Sequence, residues 1–212
     1  MMNNPHFIVV TSDDLQPLTL PLFEQYWKPL KQKHKGLKLT FYVSPFNQEF
    51  SNDERNNIIY SEEFKKWYKD NKEWCQVEIH GNTHEKPPEN QRTREEQEQL
   101  IASSVASMME YLDDDCLGYK ATFYRANDDM ITVLRKLGFS WFSQWWSLIP
   151  LKINNKRIPF YIEIGTHTNT REANNPDNID KVYEQLDQAL TKYEQMGFEY
   201  TTFRDIMKEV LK

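Results

Sequence analysis

Residues 74–84 read WCQVEIHGNTH, a short apolar run that ends on two histidines four positions apart. Trp74 to Ile79 has the length and apolar character of a strand buried in a sheet. Gly81 and Asn82, coming directly after it, favour a loop over a continuing helix. A compact loop of this length converges the rings of His80 and His84 on one ion. Neutral imidazoles joined by one carboxylate form a donor set suited to zinc, cobalt or nickel, with positions left open for water and substrate.

Outward from this stretch, strand-like and helix-like segments alternate along the chain. Strands are expected at Phe7 to Thr11, Leu37 to Val43, Trp74 to Ile79, Tyr119 to Tyr124, Phe139 to Trp145, Phe160 to Ile164 and Phe198 to Thr202. Helices are expected near Leu22 to Lys35, Glu62 to Asn71, Arg94 to Leu112, Asp128 to Leu137, Ile179 to Met196 and Arg204 to Leu211. Alternation of this kind is what a parallel sheet with crossover helices requires. Thr93 and Glu96 have the spacing of a capping box at the start of the longest central helix. Gly36, Gly138 and Gly197 each fall where a helix must stop before the next strand. Pro29 conflicts with a straight first helix, because it removes a hydrogen bond from the interior, and a kink or two shorter helices are expected there. Seven or so strands in this order fit an open doubly wound sheet or a closed, irregular barrel.

At 212 residues the chain has the size of one domain, residues 1–212. Aromatics make up 14% of the residues and supply core volume that a 39% hydrophobic content would otherwise lack. A net charge of −6 gives no general attraction to nucleic acid. The start of the chain, MMNNPHFIVV, lacks the pattern of an export signal, and no apolar run approaches membrane-spanning length, so the chain reads as cytoplasmic. Cys75 and Cys116 make neither a disulfide framework nor a metal pattern.

The ionisable candidates collect just past strand ends, where α/β folds build their sites. Asp13 and Asp14 follow the first strand, His80 and His84 the third, Arg125 the fourth, and His167 the strand ending near Ile164. Three of the five histidines occupy such ends, while His6 and His34 read as surface or helix-end residues. Adjacent carboxylates at a strand end point in different directions, so one of Asp13 and Asp14 can bind metal while the other handles a proton. Asp113 to Asp115 and Asp128-Asp129 read as a loop charge run and a helix start.

These motifs, in order, resemble the polysaccharide deacetylase family, also called the NodB-homology group or carbohydrate esterase family 4. Thr11-Ser12-Asp13-Asp14-Leu15 is similar to the family's Thr-Phe-Asp-Asp-Gly. His80 to His84 matches its His-x-x-x-His motif, Arg125 its Arg-x-Pro motif, and Ile164-Gly165-Thr166-His167 its late Leu-x-His. The resemblance implies an α/β fold, a distorted (β/α) barrel of about seven parallel strands, and a metal-dependent hydrolase that removes an N-acetyl group from an amino sugar or oligosaccharide. It further implies metal binding by Asp14, His80 and His84, with zinc the first choice. Asp13 becomes the general base, Arg125 the cation that keeps Asp13 charged, and His167 the general acid. A backbone N–H near Asn127 is expected to stabilise the oxyanion.

This sequence departs from the family at several points. Leu15 stands in place of a glycine, Ala126 in place of a proline, and the segment before His167 is one residue longer. Near Phe139 to Trp146, where the family supplies an acid to tune the histidine, there are tryptophans and no acid; Glu163 is the available substitute. Trp145 and Trp146, with Tyr124 and Asn127, are the candidate substrate contacts, whereas Trp141 and Phe142 read as core. Two other functions remain compatible with these residues: another amide or cyclic-amide hydrolase, and a carbohydrate-binding descendant without turnover.

Overall fold

The computed structural model describes residues 6–46, 57–84, 86–113, 115–144, 147–152, 156–167 and 176–212, with backbone only for 176–178. In chain order the elements are β1 (Phe7–Asp13), a helical run α1 (Leu20–Leu22, Phe23–Trp27, Lys28–Lys33), β2 (Leu39–Val43), α2 (Glu62–Asn71), β3 (Cys75–Ile79), α3 (Arg94–Met108), β4 (Gly118–Lys120), α4 (Asp128–Lys136), β5 (Trp141–Gln144), β6 (Ser147–Pro150), β7 (Tyr161–His167), α5 (Pro176–Gln195), β8 (Glu199–Thr201) and α6 (Phe203–Leu211). The sheet order is β6-β5-β4-β3-β2-β1-β7, parallel throughout except for the β5–β6 hairpin. That hairpin corrects the all-parallel expectation by one short antiparallel strand.

β1 organises the sheet. It pairs with β7 along its whole length, with β8 over Phe7–Val9 and with β2 over Val10–Asp13. The last two registers do not overlap, so β8 and β2 share one edge of β1 end to end. The sheet curls into a nearly closed barrel whose seam lies between β6 and β7. There the Leu148 N–H donates to the Tyr161 hydroxyl at 2.9 Å, a side chain standing in for a ladder bond.

Alternation along each strand divides the core. Ile8 and Val10 face outward with Phe41 and Val77 against Phe23, Trp27, Phe64, Trp67 and Tyr183 of α1, α2 and α5. Val9, Tyr42, Trp141 and Leu148 face inward, where Phe203, Ile206, Met207 and Val210 of α6 plug one end of the barrel. Each of those four α6 side chains contributes about 1.5–3 kcal/mol by leaving water. Trp141 and Phe142 are both fully buried, one on each face, as the sequence led us to expect. Cys75 and Cys116 are buried free thiols.

Local signals explain the element ends. Thr93 and Glu96 form the reciprocal capping box, with the Thr93 N–H donating to Glu96 Oε2 at 2.8 Å and the Glu96 N–H to Thr93 Oγ1 at 3.3 Å. Gly138 and Gly197 take φ of 81° and 82° after α4 and α5. Gly36 does not have a positive φ; a side chain there would meet the ring of Tyr200 at 3.0 Å. α1 runs on past Pro29 without breaking, because its middle segment, Phe23–Trp27, widens to a π-helix just before the proline that withholds a donor. His34, at the end of α1, is buried, and its two ring nitrogens lie 2.9 Å from Asp187 and 2.9 Å from Glu194 of α5. It is an inter-helix tie. Among the described residues no helix is long and apolar enough to cross a membrane.

An ion pair inside the barrel fixes α6 to β3. Arg204 donates from Nε to Glu78 Oε1 at 2.8 Å and from Nη2 to the Val77 carbonyl at 2.8 Å, while the Gly118 N–H reaches Glu78 Oε2 at 2.9 Å. Removing one member of a buried pair leaves the other charge without compensation. Arg204→Met should therefore cost about 3–5 kcal/mol in a denaturant titration. The double change with Glu78→Gln should recover part of that loss; a loss below about 1 kcal/mol would mean that water already solvates the pair.

Candidate functional site

The inward parity of β1 places Asp13 at the open end of the barrel, in register with Tyr42 of β2 and His167 of β7. Asp14 follows with φ of 65°, a left-handed conformation that aspartate tolerates better than most residues. Leu15, which stands where the family has a glycine, is buried core, and the positive φ falls on Asp14 before it. This turn directs Asp14 towards the loop after β3.

That loop is held from several sides. Asn82 donates through Nδ2 to the Leu100 carbonyl at 3.1 Å and to Ser104 Oγ at 3.0 Å, and its N–H donates to Glu89 Oε1 at 2.6 Å. The Tyr119 hydroxyl donates to the other Glu89 oxygen. Gly81 has φ of +69°, and a Cβ there would lie 2.6 Å from Thr122 Cγ2. Only glycine fits the step that turns His84 back towards His80.

Asp14, His80 and His84 converge, each offering one donor atom within 4.8 Å of the others, and all three are buried. Asp14 Oδ1 is 3.8 Å from His80 Nε2 and 3.6 Å from His84 Nε2. Two donors about 2.1 Å from one ion at a tetrahedral angle lie about 3.4 Å apart, so these separations fit a shared divalent ion with little adjustment. The His80 Nδ1–H donates to the Lys120 carbonyl at 3.1 Å, which leaves Nε2 with its lone pair facing the cluster. Burial, opposed in part by Asp13 and Asp14, lowers the His80 pKa to about 4, so the ring is neutral at pH 7.

Beside this cluster, Asp13 is fully enclosed. Lys120 Nζ donates to its Oδ1 at 2.9 Å and the Tyr124 hydroxyl to its Oδ2 at 3.0 Å. Burial alone would raise the Asp13 pKa, but Lys120, His80 and His167 outweigh it and hold the carboxyl below its ordinary range. Tyr124 has one hydroxyl hydrogen, and Asp13 takes it. The Nε2 of His167, 3.0 Å from the same hydroxyl oxygen, must therefore be the donor of that contact. An N–H at that atom is required of a general acid, which in the imidazolium form carries a proton on Nδ1 as well.

No protein-family model matches the chain, and no curated protein matches it in sequence. Solved structures do match in three dimensions. A CE4 family pseudoenzyme from Bacillus anthracis, in a mutant form with restored enzymatic activity, aligns with a TM-score of 0.63 at 14% identity, covering 96% of this chain and 68% of the other. A peptidoglycan N-acetylglucosamine deacetylase aligns at 0.62 and 12% identity over 96% and 88%, and a cobalt-bound family 4 acetyl xylan esterase from Clostridium thermocellum at 0.56 and 16% over 95% and 90%. The fold is that of the family 4 carbohydrate esterases.

On this family 4 fold, the structure brings together Asp13, Asp14, His80, His84, Tyr124 and His167, and leaves other candidates outside. Arg125 does not touch Asp13; it is exposed, and the cation on Asp13 is Lys120. The cause is the end of β4, which stops at Lys120, after which residues 122–124 turn with positive φ at Phe123 and Tyr124. Sequence reading carried the strand on to Tyr124 and so moved its end past the buried lysine. Lys120 did leave a signal, as the one charge in the run Leu117 to Ala121. Asn127 caps α4, accepting from the Met130 N–H at 2.8 Å, and its Nδ2 binds the Asn90 carbonyl at 2.8 Å, so both ends of its amide are engaged. Trp145 and Trp146 lie outside the described residues. Glu163 accepts from Thr11 Oγ1 at 2.9 Å, four residues before His167 on β7, and makes no bond to that histidine.

Two outcomes follow from these charges. With Lys120→Met, burial governs Asp13 and raises its pKa, so the acidic limb of the pH–rate profile should move to higher pH. An unmoved limb would separate Asp13 from the rate. Glu163 is pushed up to about 7 by burial, against Lys120 and Thr11, from an ordinary value of 4.5. The folded state holds that proton more tightly than the unfolded chain, so ionisation costs stability progressively between those two values and fully above them. Glu163→Gln should therefore be more stable than the parent above pH 7, by up to about 3 kcal/mol, with the gain vanishing near pH 4 in denaturant midpoints.

Proposed function

We propose that the chain is a metal-dependent N-deacetylase acting on an acylated amino sugar or its oligomers. The observation that carries this reading is the Asp14–His80–His84 cluster lying beside an Asp13 that Lys120 helps keep ionised and that accepts from the Tyr124 hydroxyl, with His167 facing the same space. Zinc is the proposed ion, and cobalt or nickel suits the same donors. Held by these three side chains, such an ion supplies Lewis-acid activation of the acyl carbonyl and of water.

The remaining work falls to the chain. Asp13 accepts a proton from the attacking water, and Lys120 stabilises the carboxylate before that transfer. His167 gives its Nε2 proton to the departing nitrogen, which is too basic to leave as an anion. A new C–O bond forms as the C–N bond breaks, yielding the free amine and acetate. Substrate entry must displace Tyr124 from at least one of its two contacts, since its hydroxyl occupies the space between Asp13 and His167.

The test is acetate release from N-acetylglucosamine oligomers by chelator-treated protein with and without added zinc or cobalt. Metal-stimulated release supports the reading, and its absence across both ions removes it. Tyr124 favours one alternative, a carbohydrate-binding descendant in which the bridging phenol stays in place. That protein would bind the oligomers and release no acetate.

A further inference from the structure

Behind His84 the surface opens into a groove of about 500 Å³ lined by Lys86, Pro87, Pro88, Gln91, Phe123 and Arg125. It adjoins the metal cluster directly, because the Phe123 ring packs on that of His84 with centroids 4.6 Å apart. Lys86 Nζ lies 5.8 Å from the centre of the same ring. Phe123 and Tyr124 are consecutive and have φ of 54° and 55°, a conformation costly for aromatic residues and typical of constrained functional segments. Backbone bonds hold it, from the Tyr124 N–H to the Ala121 carbonyl and from the Arg125 N–H to the Thr122 carbonyl, both at 3.2 Å. One short turn thus presents Tyr124 to Asp13 and Phe123 to the groove, and fixes the distance between them.

The charge of this groove runs against that of the chain. Among the described residues both of its ionisable side chains, Lys86 and Arg125, are positive and exposed, on a protein of net charge −6. Among the described residues neither forms an ion pair with a carboxylate. An aromatic ring and two prolines between two such cations suit the C–H face of a sugar that also carries an anion.

We propose that the substrate is an N-acylated sugar bearing a phosphate or carboxylate, with its ring against Phe123 and its anionic group held by Lys86 and Arg125. This rests on the deacetylase reading of the adjoining site and narrows its substrate class. It also gives Arg125 a binding role at the rim.

Calorimetric binding to the full chain, without metal and with zinc, tests the groove separately from turnover. The probes are N-acetylglucosamine 1-phosphate, N-acetylmuramic acid and neutral N-acetylglucosamine tetramer, each also assayed for acetate release. At least one anionic sugar should bind about tenfold to a hundredfold more tightly than the neutral one, the effect of one charge-assisted hydrogen bond, and the preference should shrink with added salt. Whichever anion shows it identifies the group as phosphate or carboxylate. The double variant Lys86→Glu/Arg125→Glu should abolish the preference; its side chains are exposed, so the core is untouched. The same charge change at exposed Lys181 on α5 should leave it intact. Equal binding of neutral and anionic sugars, or a preference that survives the double variant, overturns the proposal even if acetate is released from all three. A preference lost in the double variant without acetate release from any sugar sustains the groove and removes the deacetylase reading instead.

Discussion

His84→Ala should empty the metal site and bring metal-stimulated acetate release down to background. Among the described residues three side chains converge there, so removal of one leaves two donors and an open face. A full set of protein ligands binds zinc with about 10–16 kcal/mol, and the loss of one from a set of three costs on the order of 3–5 kcal/mol, or about 10²- to 10⁴-fold in affinity. The fold should survive, because the loop is anchored through Asn82 and Glu89 independently of the His84 ring. Elemental analysis after dialysis measures occupancy, and circular dichroism the fold. Asp14→Ala and His80→Ala should behave alike in metal binding, with His80→Ala also freeing the Lys120 carbonyl. Full occupancy in His84→Ala would remove the cluster from consideration as a metal site.

The second large effect is a crossed pattern between Asp13 and His167. Asp13→Asn keeps the size of the side chain but cannot take a proton from water, so turnover should fall by roughly 10²- to 10⁴-fold on any acyl substrate while the metal stays bound. Stability must be measured alongside, since the substitution removes the charge that the buried Lys120 faces. His167→Ala should cost turnover mainly on an acetamide. An activated acetate ester expels a leaving group that needs no proton, so the acid becomes dispensable. Equal losses on ester and amide would reassign His167 to a structural or binding role, and an unimpaired Asp13→Asn would displace the base.

Much of the frame was legible because burial writes itself into periodicity. The strand of residues 75–79 and its histidine loop, the Thr93 capping box, and the two faces of Trp141 and Phe142 follow from rules that act over a few residues. What escaped was set by tertiary placement. The aromatic run Tyr119 to Tyr124 has strand composition, yet only its start pairs with neighbours, so Lys120 closes the strand beside Asp13 while Arg125, matched to the family's Arg-x-Pro motif, falls outside the site. β6 escaped because four residues ending in Pro150 carry no period long enough to register. Tyr124 was expected at the substrate, while its hydroxyl bridges Asp13 and His167, a relation that depends on two positive φ values outside the reach of sequence rules.

The Tyr161 hydroxyl at the β6–β7 seam has a consequence for how the barrel breathes. Most neighbouring pairs of strands along the wall are joined by a ladder of several register pairs, in which loss of one bond leaves others to hold the register. At the seam, among the described residues, the Leu148 amide bonds a phenol across 2.9 Å, so the β5–β6 hairpin can part from β7 without unzipping a ladder. Deuterium uptake at Leu148 thus counts openings of this side wall, while uptake in β1, bonded on both edges, counts loss of the whole barrel. The protein carries its own two-speed clock: one amide timing the hairpin, the others timing the fold.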